Sequence, residues 1–329
     1  MPPPACINSP AAIDGGFQLP VVDEQQTRPL RGIIQSLLDV VSYVSPREMM
    51  RSGNSTEALR AAINQTVAPW AENEPELKVF DKLSQTAASL VEFTYYHHAF
   101  EVKLVLGLYS WFAFYLDDVA PPASLNTYHR IILTGGTHTP EPLAHLQQSL
   151  TGLYTHWDPF LANIMVTSAL DVISASMLEN RGDIMQMEPR PTAASWPWYL
   201  RTKTSMAAGL ASGIFPMAAH PDLRTYIHAL PDMDKYLCLV NDILSFYKED
   251  LAGESVNYVS WRAKVEDKAP RRVLVEMVEE VGDLHRRIEG TLDGHTDALA
   301  AWTTYEYGLI AWHVSQDRYK LATDLKIVW

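Results

Sequence analysis

Cysteine is scarce in this chain of 329 residues, which holds only Cys6 and Cys238. Two cysteines cannot build a disulfide framework or a cysteine-rich zinc site, and so low a number fits a reducing compartment. Basic residues are also few, with 26 Lys and Arg against 39 Asp and Glu, and the formal net charge is −13. We therefore expect no binding to nucleic acid or to an anionic membrane through overall charge.

The sequence also lacks the motifs of several common enzyme classes. It contains no glycine-rich phosphate or dinucleotide loop, no G-x-S-x-G elbow and no H-E-x-x-H pair, which argues against the corresponding nucleotide-binding, hydrolase and metalloprotease classes. Its most apolar segment, residues 104–116, is too short to span a bilayer, and the N-terminus has no secretory pattern. We expect a cytoplasmic protein without a membrane partner.

The hydrophobic pattern of most of the chain is helical. Residues 1–28 contain five prolines and little apolar periodicity, so we expect residues 1–29 to form a flexible proline-rich arm. From Leu30 onward the apolar spacing is mostly that of helices, and the alternation typical of strands is scarce. Prolines and glycines divide this part into helix-sized segments without a long linker. The sequence thus predicts one all-α domain over residues 30–329.

The stretch from Asn241 to Glu249 is the most informative one for function. At about 100° per residue, Asn241, Ser245 and Glu249 fall on one face of a helix. Amide, hydroxyl and carboxylate oxygens in one row are hard ligands that suit Mg²⁺. Lys248 lies near the same stripe and can neutralise a phosphate held by that metal. The alternative is the solvated polar face of an ordinary helix, but this pattern would arise by chance with a probability of about 10⁻⁴.

This stretch matches (N/D)DxxSxxKE, the second metal motif of class I terpene cyclases. From about residue 30 to residue 329 the chain resembles fungal sesquiterpene cyclases of the trichodiene synthase type. The resemblance implies the class I terpene synthase (isoprenoid synthase) bundle of helices around a central apolar cavity. It also implies Mg²⁺-dependent ionisation and cyclisation of a prenyl diphosphate, with farnesyl diphosphate as first choice, to a sesquiterpene hydrocarbon or alcohol plus diphosphate. Three Mg²⁺ ions, replaceable by Mn²⁺, and a homodimer are further implications.

The first metal motif of the family is DDxxD or DDxxE, and its counterpart here begins at Asp117-Asp118. An apolar helix that ends in two carboxylates can hold acid groups at the rim of a cavity. By resemblance, Asp117 is the main metal ligand and Asp118 has a supporting role. The sequence departs from the family at Pro121, which occupies the third acidic position.

Cationic residues that hold diphosphate are also implied by the resemblance. The family has an arginine about forty residues before the second motif, and Arg201 matches that position, ahead of Arg181 and Arg190 as weaker candidates. Arg318-Tyr319 match the C-terminal Arg-Tyr element, whose guanidinium and phenol grip the diphosphate. Together with Lys248 they would complete the shell around it.

Aromatic side chains are expected to line the hydrocarbon part of the cavity, and no side chain is expected to act as a nucleophile. The candidates are Phe93, Phe114 and Trp312, whose rings can stabilise carbocations by cation–π attraction. Ser110 shares the helical face of Phe114 below Asp117. For every one of these residues, packing in the core is the competing interpretation.

Small residues around Gly209 and Gly213, followed by Pro216, allow two interpretations. They predict either a helix that packs closely on its neighbours or, as in the family, a helix that is broken near the active site. The residues alone favour neither.

Two other functions remain open at this stage. A prenyl diphosphate synthase or prenyltransferase shares the fold, but usually has two aspartate-rich motifs where this chain has the Asn-Ser-Glu type. A non-catalytic relative that binds a prenyl diphosphate would explain Pro121. A product assay with farnesyl diphosphate, alone and with an isoprenoid acceptor, separates these functions.

Overall fold

The structure is a computed structural model that describes residues 24–46, 53–122, 124–126, 128–129 and 142–327. In these residues the chain forms α-helices and short 3₁₀ turns and has no strand, which confirms the all-α prediction. The described residues include the α-helices α1 (Glu24–Val40), α2 (Gly53–Val67), α3 (Glu74–Thr94), α4 (Phe100–Asp118), α5 (Leu143–Gly152), α6 (Pro159–Glu179), α7 (Gly182–Met185), α8 (Trp196–Lys203), α9 (Ala207–Gly213), α10 (Leu230–Ala252), α11 (Tyr258–Glu266), α12 (Pro270–Leu292) and α13 (Thr296–Ser315).

The first helix begins earlier than the predicted domain boundary. Helix α1 starts at Glu24 and contains Pro29, whereas the arm was expected to reach residue 29. Leu30, Ile34 and Leu37 are buried, and α1 packs on α12. This packing stabilises α1, including the turns that precede Pro29. The rest of the predicted arm, residues 1–23, lies outside the described residues.

Local signals explain where the long helices begin and end. The Asn73 side chain caps α3 by accepting from the backbone N–H of Glu76 at 3.0 Å, and the Glu76 carboxylate accepts from the N–H of Glu72 at 2.7 Å. Helix α4 ends at Asp118, shortly before two prolines. Helix α10 ends at Gly253, whose φ of +71° is the left-handed conformation that glycine adopts without strain. These signals place Asp117 and Glu249 near the C-terminal ends of their helices.

The helices pack as a bundle around a cavity. Helix α3 packs against α2, α4 and α13, while α10 packs against α9, α12 and α13. Fully buried tryptophans fill the layers between them, among them Trp111, Trp157, Trp261 and Trp302. The cavity is lined mainly from α4, α6, α8, α9, α10 and α13, so the bundle brings distant parts of the sequence to one site.

Residues 204–206 interrupt the helical structure between α8 and α9. At this break the Ser205 hydroxyl accepts from the backbone N–H of Ala207 at 2.9 Å. Beyond it, Gly209 faces the phenol of Tyr109 so closely that a Cβ there would collide with the hydroxyl. Both interpretations of this glycine-rich segment are therefore correct, because a broken helix lies directly before a closely packed one.

Helix α6 is the one described helix that is long and apolar enough, by length and composition, to cross a membrane. It carries buried residues on several sides, including Leu161, Met165 and Ile173, and packs against α4 and α9. A single core helix of a soluble protein passes the same test. This helix is therefore weak support for a membrane span.

We expect the substitution Gly308→Ala to destabilise the fold strongly, because α3 and α13 meet backbone to backbone at this position. A Cβ on Gly308 would overlap the Phe93 carbonyl, with its carbon only 2.6 Å away. The helices would have to separate, which should lower the free energy of unfolding by about 3 kcal/mol. Urea unfolding followed by circular dichroism measures this change.

Gly290→Ala in α12 is the matched control, since no atom lies within 4 Å of its Cβ position. That variant should be as stable as the parent or more stable by about 0.5–1 kcal/mol, because alanine favours helix over glycine. Equal stability of the two variants would contradict the close approach of α3 and α13.

Candidate active site

Helix α4 presents one continuous stripe to the cavity. Ser110, Ala113, Phe114 and Asp117 all line it, as expected for residues three, four and seven positions apart on a helix. Burial among the cavity walls and the adjacent Asp118 raise the pKa of Asp117, while nearby cationic side chains partly offset this. Asp118 does not line the cavity, and 44% of its side chain is exposed.

The motif on α10 reaches the same cavity from another side. Asn241, Lys248 and Glu249 line it, and the Lys248 ammonium lies 4.0 Å from the Glu249 carboxylate. Ser245, between them on the helix, is not part of the lining; it is only 3% exposed, and its hydroxyl oxygen has no hydrogen-bond partner in the described structure. A buried hydroxyl is rarely left without a partner, so this atom is suited to accept an external ligand.

Among the described residues, no three His, Cys, Asp or Glu side chains are grouped so that they could hold a metal ion. The row on α10 is not a group of that kind, because two of its three members are the amide Asn241 and the hydroxyl Ser245.

Arg201, at the end of α8, lies against this row. Its Nε donates to both carboxylate oxygens of Asp242, at 2.9 and 2.8 Å, and its Nη2 donates to Asn241 Oδ1 at 3.2 Å and to the Cys238 carbonyl at 3.3 Å. Burial raises the pKa of Asp242 to about 6 although Arg201 lowers it in part. Burial also opposes the charge on Arg201, but Asp242 more than compensates and the pKa of Arg201 lies above its usual value.

The two weaker arginine candidates lie elsewhere. Arg181 forms a surface ion pair with Asp183 at 2.6 Å, and neither Arg181 nor Arg190 lines the cavity. Of the three arginines considered from the sequence, Arg201 is the one that the fold brings to the motif on α10.

His313 on α13 orients the Asn241 amide. Its Nδ1 lies 2.8 Å from the Leu309 carbonyl, which can only accept, so Nδ1 carries the proton and Nε2 is an acceptor. Asn241 Nδ2 lies 3.1 Å from that Nε2 and donates to it, which leaves Asn241 Oδ1 facing Arg201. Burial lowers the pKa of His313 to about 4, so the ring stays neutral and able to accept near pH 7.

The C-terminal turn closes another part of the wall. Tyr319 lines the cavity and packs against the rings of Trp312 and His313, with centroids 5.7 and 4.7 Å away. The Arg318 guanidinium lies over the Tyr319 ring at 5.4 Å and 3.9 Å from the Asp118 carboxylate. Arg318 itself is not part of the lining, but its charge lowers the pKa of Asp117.

The whole cavity has a volume of about 350 Å³. Away from the polar end its lining is mainly apolar. The rings of Phe114 and Trp312 lie 6.2 Å apart, and the apolar lining includes Leu90, Ala113, Val172, Leu210, Leu237 and Leu309. Phe93 is not in the lining, although Leu90, one turn earlier on α3, is. Of the three aromatic candidates, Phe114 and Trp312 therefore face the cavity and Phe93 does not.

Glu179 is a cavity residue that the sequence analysis missed. It ends α6 with part of its surface exposed, but the protein packed around its carboxyl group and the nearby Asp117 raise its pKa to about 7. The sequence feature that could have identified Glu179 is the one that identified Asp117, since both are carboxylates at the end of an apolar helix. The roles of Asp242 and His313 had no such signal, because they depend on partners far away in the sequence.

A helical bundle whose cavity has an apolar body and one end rich in carboxylates, amides and cations is the architecture expected for a class I terpene synthase. The sequence relatives agree with this. Terpene synthase BipA of Cochliobolus sativus is 33% identical over 302 residues, which is 89% of each chain. Monoterpene synthase 25 of Postia placenta is 31% identical over 88% of this chain and 85% of the relative. Longiborneol synthase CLM1 of Gibberella zeae is 28% identical over 68% of each.

The family model for trichodiene synthase (TRI5) matches residues 30–325, and the chain belongs to this family. It is thus a lyase that acts on prenyl diphosphates. The fold is also similar to that of a solved linalool/nerolidol synthase from Streptomyces clavuligerus, with a TM-score of 0.58 and 13% identity over 82% of this chain and 97% of that one. The resemblance and the fold class inferred from the sequence are confirmed.

Proposed function

We propose that this chain uses Mg²⁺ to ionise and cyclise farnesyl diphosphate, giving a sesquiterpene hydrocarbon or alcohol and free diphosphate. The observation that carries the proposal is the row on α10: Asn241 and Glu249 line the polar end of a cavity whose remaining wall is mainly apolar, and the buried Ser245 hydroxyl between them has no partner in the described structure. Farnesyl diphosphate follows from the resemblance to sesquiterpene cyclases. The relative named monoterpene synthase makes the shorter geranyl diphosphate the alternative substrate.

The residues present fit magnesium. The Ser245 hydroxyl is buried without a partner, the Asn241 oxygen is oriented away from His313, and the Glu249 carboxylate lines the cavity. These are oxygen donors of the kind that Mg²⁺ prefers. Asp117 would supply a further carboxylate from α4, with Asp118 as support. When bound, Mg²⁺ (three ions by resemblance, or Mn²⁺) draws negative charge from the diphosphate and makes it a better leaving group.

The cationic side chains would bind the diphosphate and stabilise it as it departs. Lys248 and Arg201 line the cavity, and Tyr319 adds a phenol that, with its pKa raised by burial, stays protonated and able to donate. Arg318 lies next to Asp118 at the same end. The departing charge is met by groups already in place, which lowers the barrier to ionisation. The apolar wall then folds the hydrocarbon and excludes water from most of the cation.

The first experiment is gas chromatography–mass spectrometry of extracts from purified protein, Mg²⁺ and farnesyl diphosphate, with a chelator control. A chelator-sensitive cyclic C15 product supports the proposal, and geranyl and geranylgeranyl diphosphate test the chain length. Longer prenyl diphosphates formed only with an added isoprenoid acceptor would identify a prenyltransferase instead. Diphosphate binding without turnover would indicate a non-catalytic relative. It would also explain why Pro121 stands at the third acidic position of the first metal motif. A homodimer and a cytoplasmic location remain predictions of the sequence.

We expect His313→Phe to weaken metal binding about tenfold to a hundredfold, the usual effect of losing a partner that orients a ligand. Phenylalanine keeps a ring against Trp312 and Tyr319 but cannot accept from Asn241, so the amide loses its fixed orientation. Electron paramagnetic resonance of Mn²⁺ titrated with inorganic diphosphate present measures the affinity. His313→Gln is the control, since its side-chain oxygen can replace the lost acceptor. Equal affinities of the Phe variant and the parent would show that His313 only packs.

A further inference from the structure

Four buried serine and threonine hydroxyls of this protein are hydrogen-bonded to their own helix. Ser84, Thr94, Ser176 and Ser212 each donate to the carbonyl four residues earlier, at 2.7–2.9 Å. Ser110 on α4 is only 1% exposed, yet its hydroxyl oxygen has no partner in the described structure. An unpaired buried hydroxyl costs free energy, so Ser110 needs a partner from the cavity that it lines.

The position of Ser110 excludes the diphosphate as that partner. It lies seven residues before Asp117, two helical turns or about 10 Å further along α4. Its neighbours on the stripe are Ala113 and Phe114, which face the apolar part of the cavity. The hydroxyl therefore stands beside the hydrocarbon of a bound substrate and away from the metal-binding end.

Two nearby tyrosine hydroxyls already have partners. The Tyr95 hydroxyl donates to the Leu210 carbonyl at 2.7 Å, and the Tyr109 hydroxyl donates to the Met165 carbonyl at 2.8 Å. In contrast, Tyr305 and Trp312 line the cavity, and the Tyr305 hydroxyl and the Trp312 indole N–H are buried without a partner in the described structure. A small molecule that both accepts and donates would satisfy Ser110 and find a second donor in the same lining. Water has this chemistry, and a buried water needs two to four such partners.

We propose that Ser110 binds a water molecule beside the substrate hydrocarbon, and that this water captures the last carbocation, so that the main product is a terpene alcohol. This inference rests on the proposed function, which leaves open whether the product is a hydrocarbon or an alcohol. It makes Ser110 the residue that decides between them.

The capture step balances without any further reagent. A lone pair of the water oxygen forms a C–O bond to the cationic carbon, which produces a protonated alcohol. That oxygen then loses a proton, and the diphosphate released in the first step takes it up. The sum is prenyl diphosphate plus water giving terpene alcohol plus hydrogen diphosphate. Ser110 accepts from or donates to the water and holds it in place, and no covalent bond to the protein forms.

The test is product analysis by gas chromatography–mass spectrometry in H₂¹⁸O. The parent enzyme should give mainly an alcohol whose mass rises by two units, with the label in the hydroxyl oxygen. Ser110→Ala should lower the alcohol share about tenfold in favour of hydrocarbons, the change expected when one hydrogen bond that holds the water is lost. Ser110→Thr retains a hydroxyl and should retain the alcohol.

Ser84→Ala is the matched control, because Ser84 is fully buried and its hydroxyl is bonded within α3 at 2.9 Å. It should leave the product ratio unchanged. A parent enzyme that makes only hydrocarbons, or an alcohol share that Ser110→Ala does not change, overturns the water site while leaving the cyclase function intact. No product from any prenyl diphosphate overturns both.

Discussion

The substitution Glu249→Ala is expected to lower turnover of the prenyl diphosphate on the order of a thousandfold and to leave the protein folded. The Glu249 side chain is 16% exposed and lines the cavity, and the nearest cation is Lys248 at 4.0 Å. At that distance the two charges form no hydrogen bond, so the carboxylate is not needed for the stability of α10. It would be needed by Mg²⁺, for which it is the only carboxylate in the row on α10.

Product formation per enzyme, measured with saturating Mg²⁺, tests this expectation, and thermal unfolding checks that the variant is folded. Asp250→Ala is the matched control because it removes the same charge one residue further along α10, on an exposed position outside the cavity lining. It should retain turnover within a few fold. If Glu249→Ala formed product at nearly the parent rate, the metal site on α10 would have to be abandoned.

The row on α10 was predictable from the sequence because all its members lie on one helix. The spacing of Asn241, Ser245 and Glu249 defines a face as soon as the segment is helical, and no long-range contact is needed. The same holds for Ser110, Phe114 and Asp117 on α4. That these two faces meet at one cavity has no local signal and came from the family resemblance alone.

The residues that the sequence analysis missed or misplaced depend on contacts between distant segments. Asp242 appeared only as a letter of the motif, and its ion pair with Arg201, 41 residues earlier, joins two helices. His313 reaches Asn241 across 72 residues. Phe93 lies one turn after the cavity residue Leu90 on α3 yet is outside the lining, at the end of α3 where α13 packs closely at Gly308. Helical periodicity assigns a face and does not say which neighbour covers it.

The substitution Arg201→Met is expected to lower both stability and turnover, for different reasons. The side chains of Arg201 and Asp242 are only 11% and 12% exposed, so removing the guanidinium leaves a carboxylate without its partner in a buried place. Breaking a buried pair in this way costs about 3–5 kcal/mol of the free energy of unfolding. Turnover should fall about a hundredfold as well, because the cavity loses a cation that, in the proposed function, binds the leaving diphosphate.

The double variant Arg201→Met/Asp242→Leu separates the two effects. Replacing a whole buried ion pair by apolar side chains of similar size is often neutral or stabilising, so the double variant should regain most of the stability lost in Arg201→Met. It should not regain turnover, because leucine and methionine cannot bind diphosphate. Urea unfolding and product assays on both variants measure the two quantities. Recovery of turnover together with stability would mean that Arg201 acts only as the partner of Asp242, and the diphosphate would then depend on Lys248, Arg318 and Tyr319.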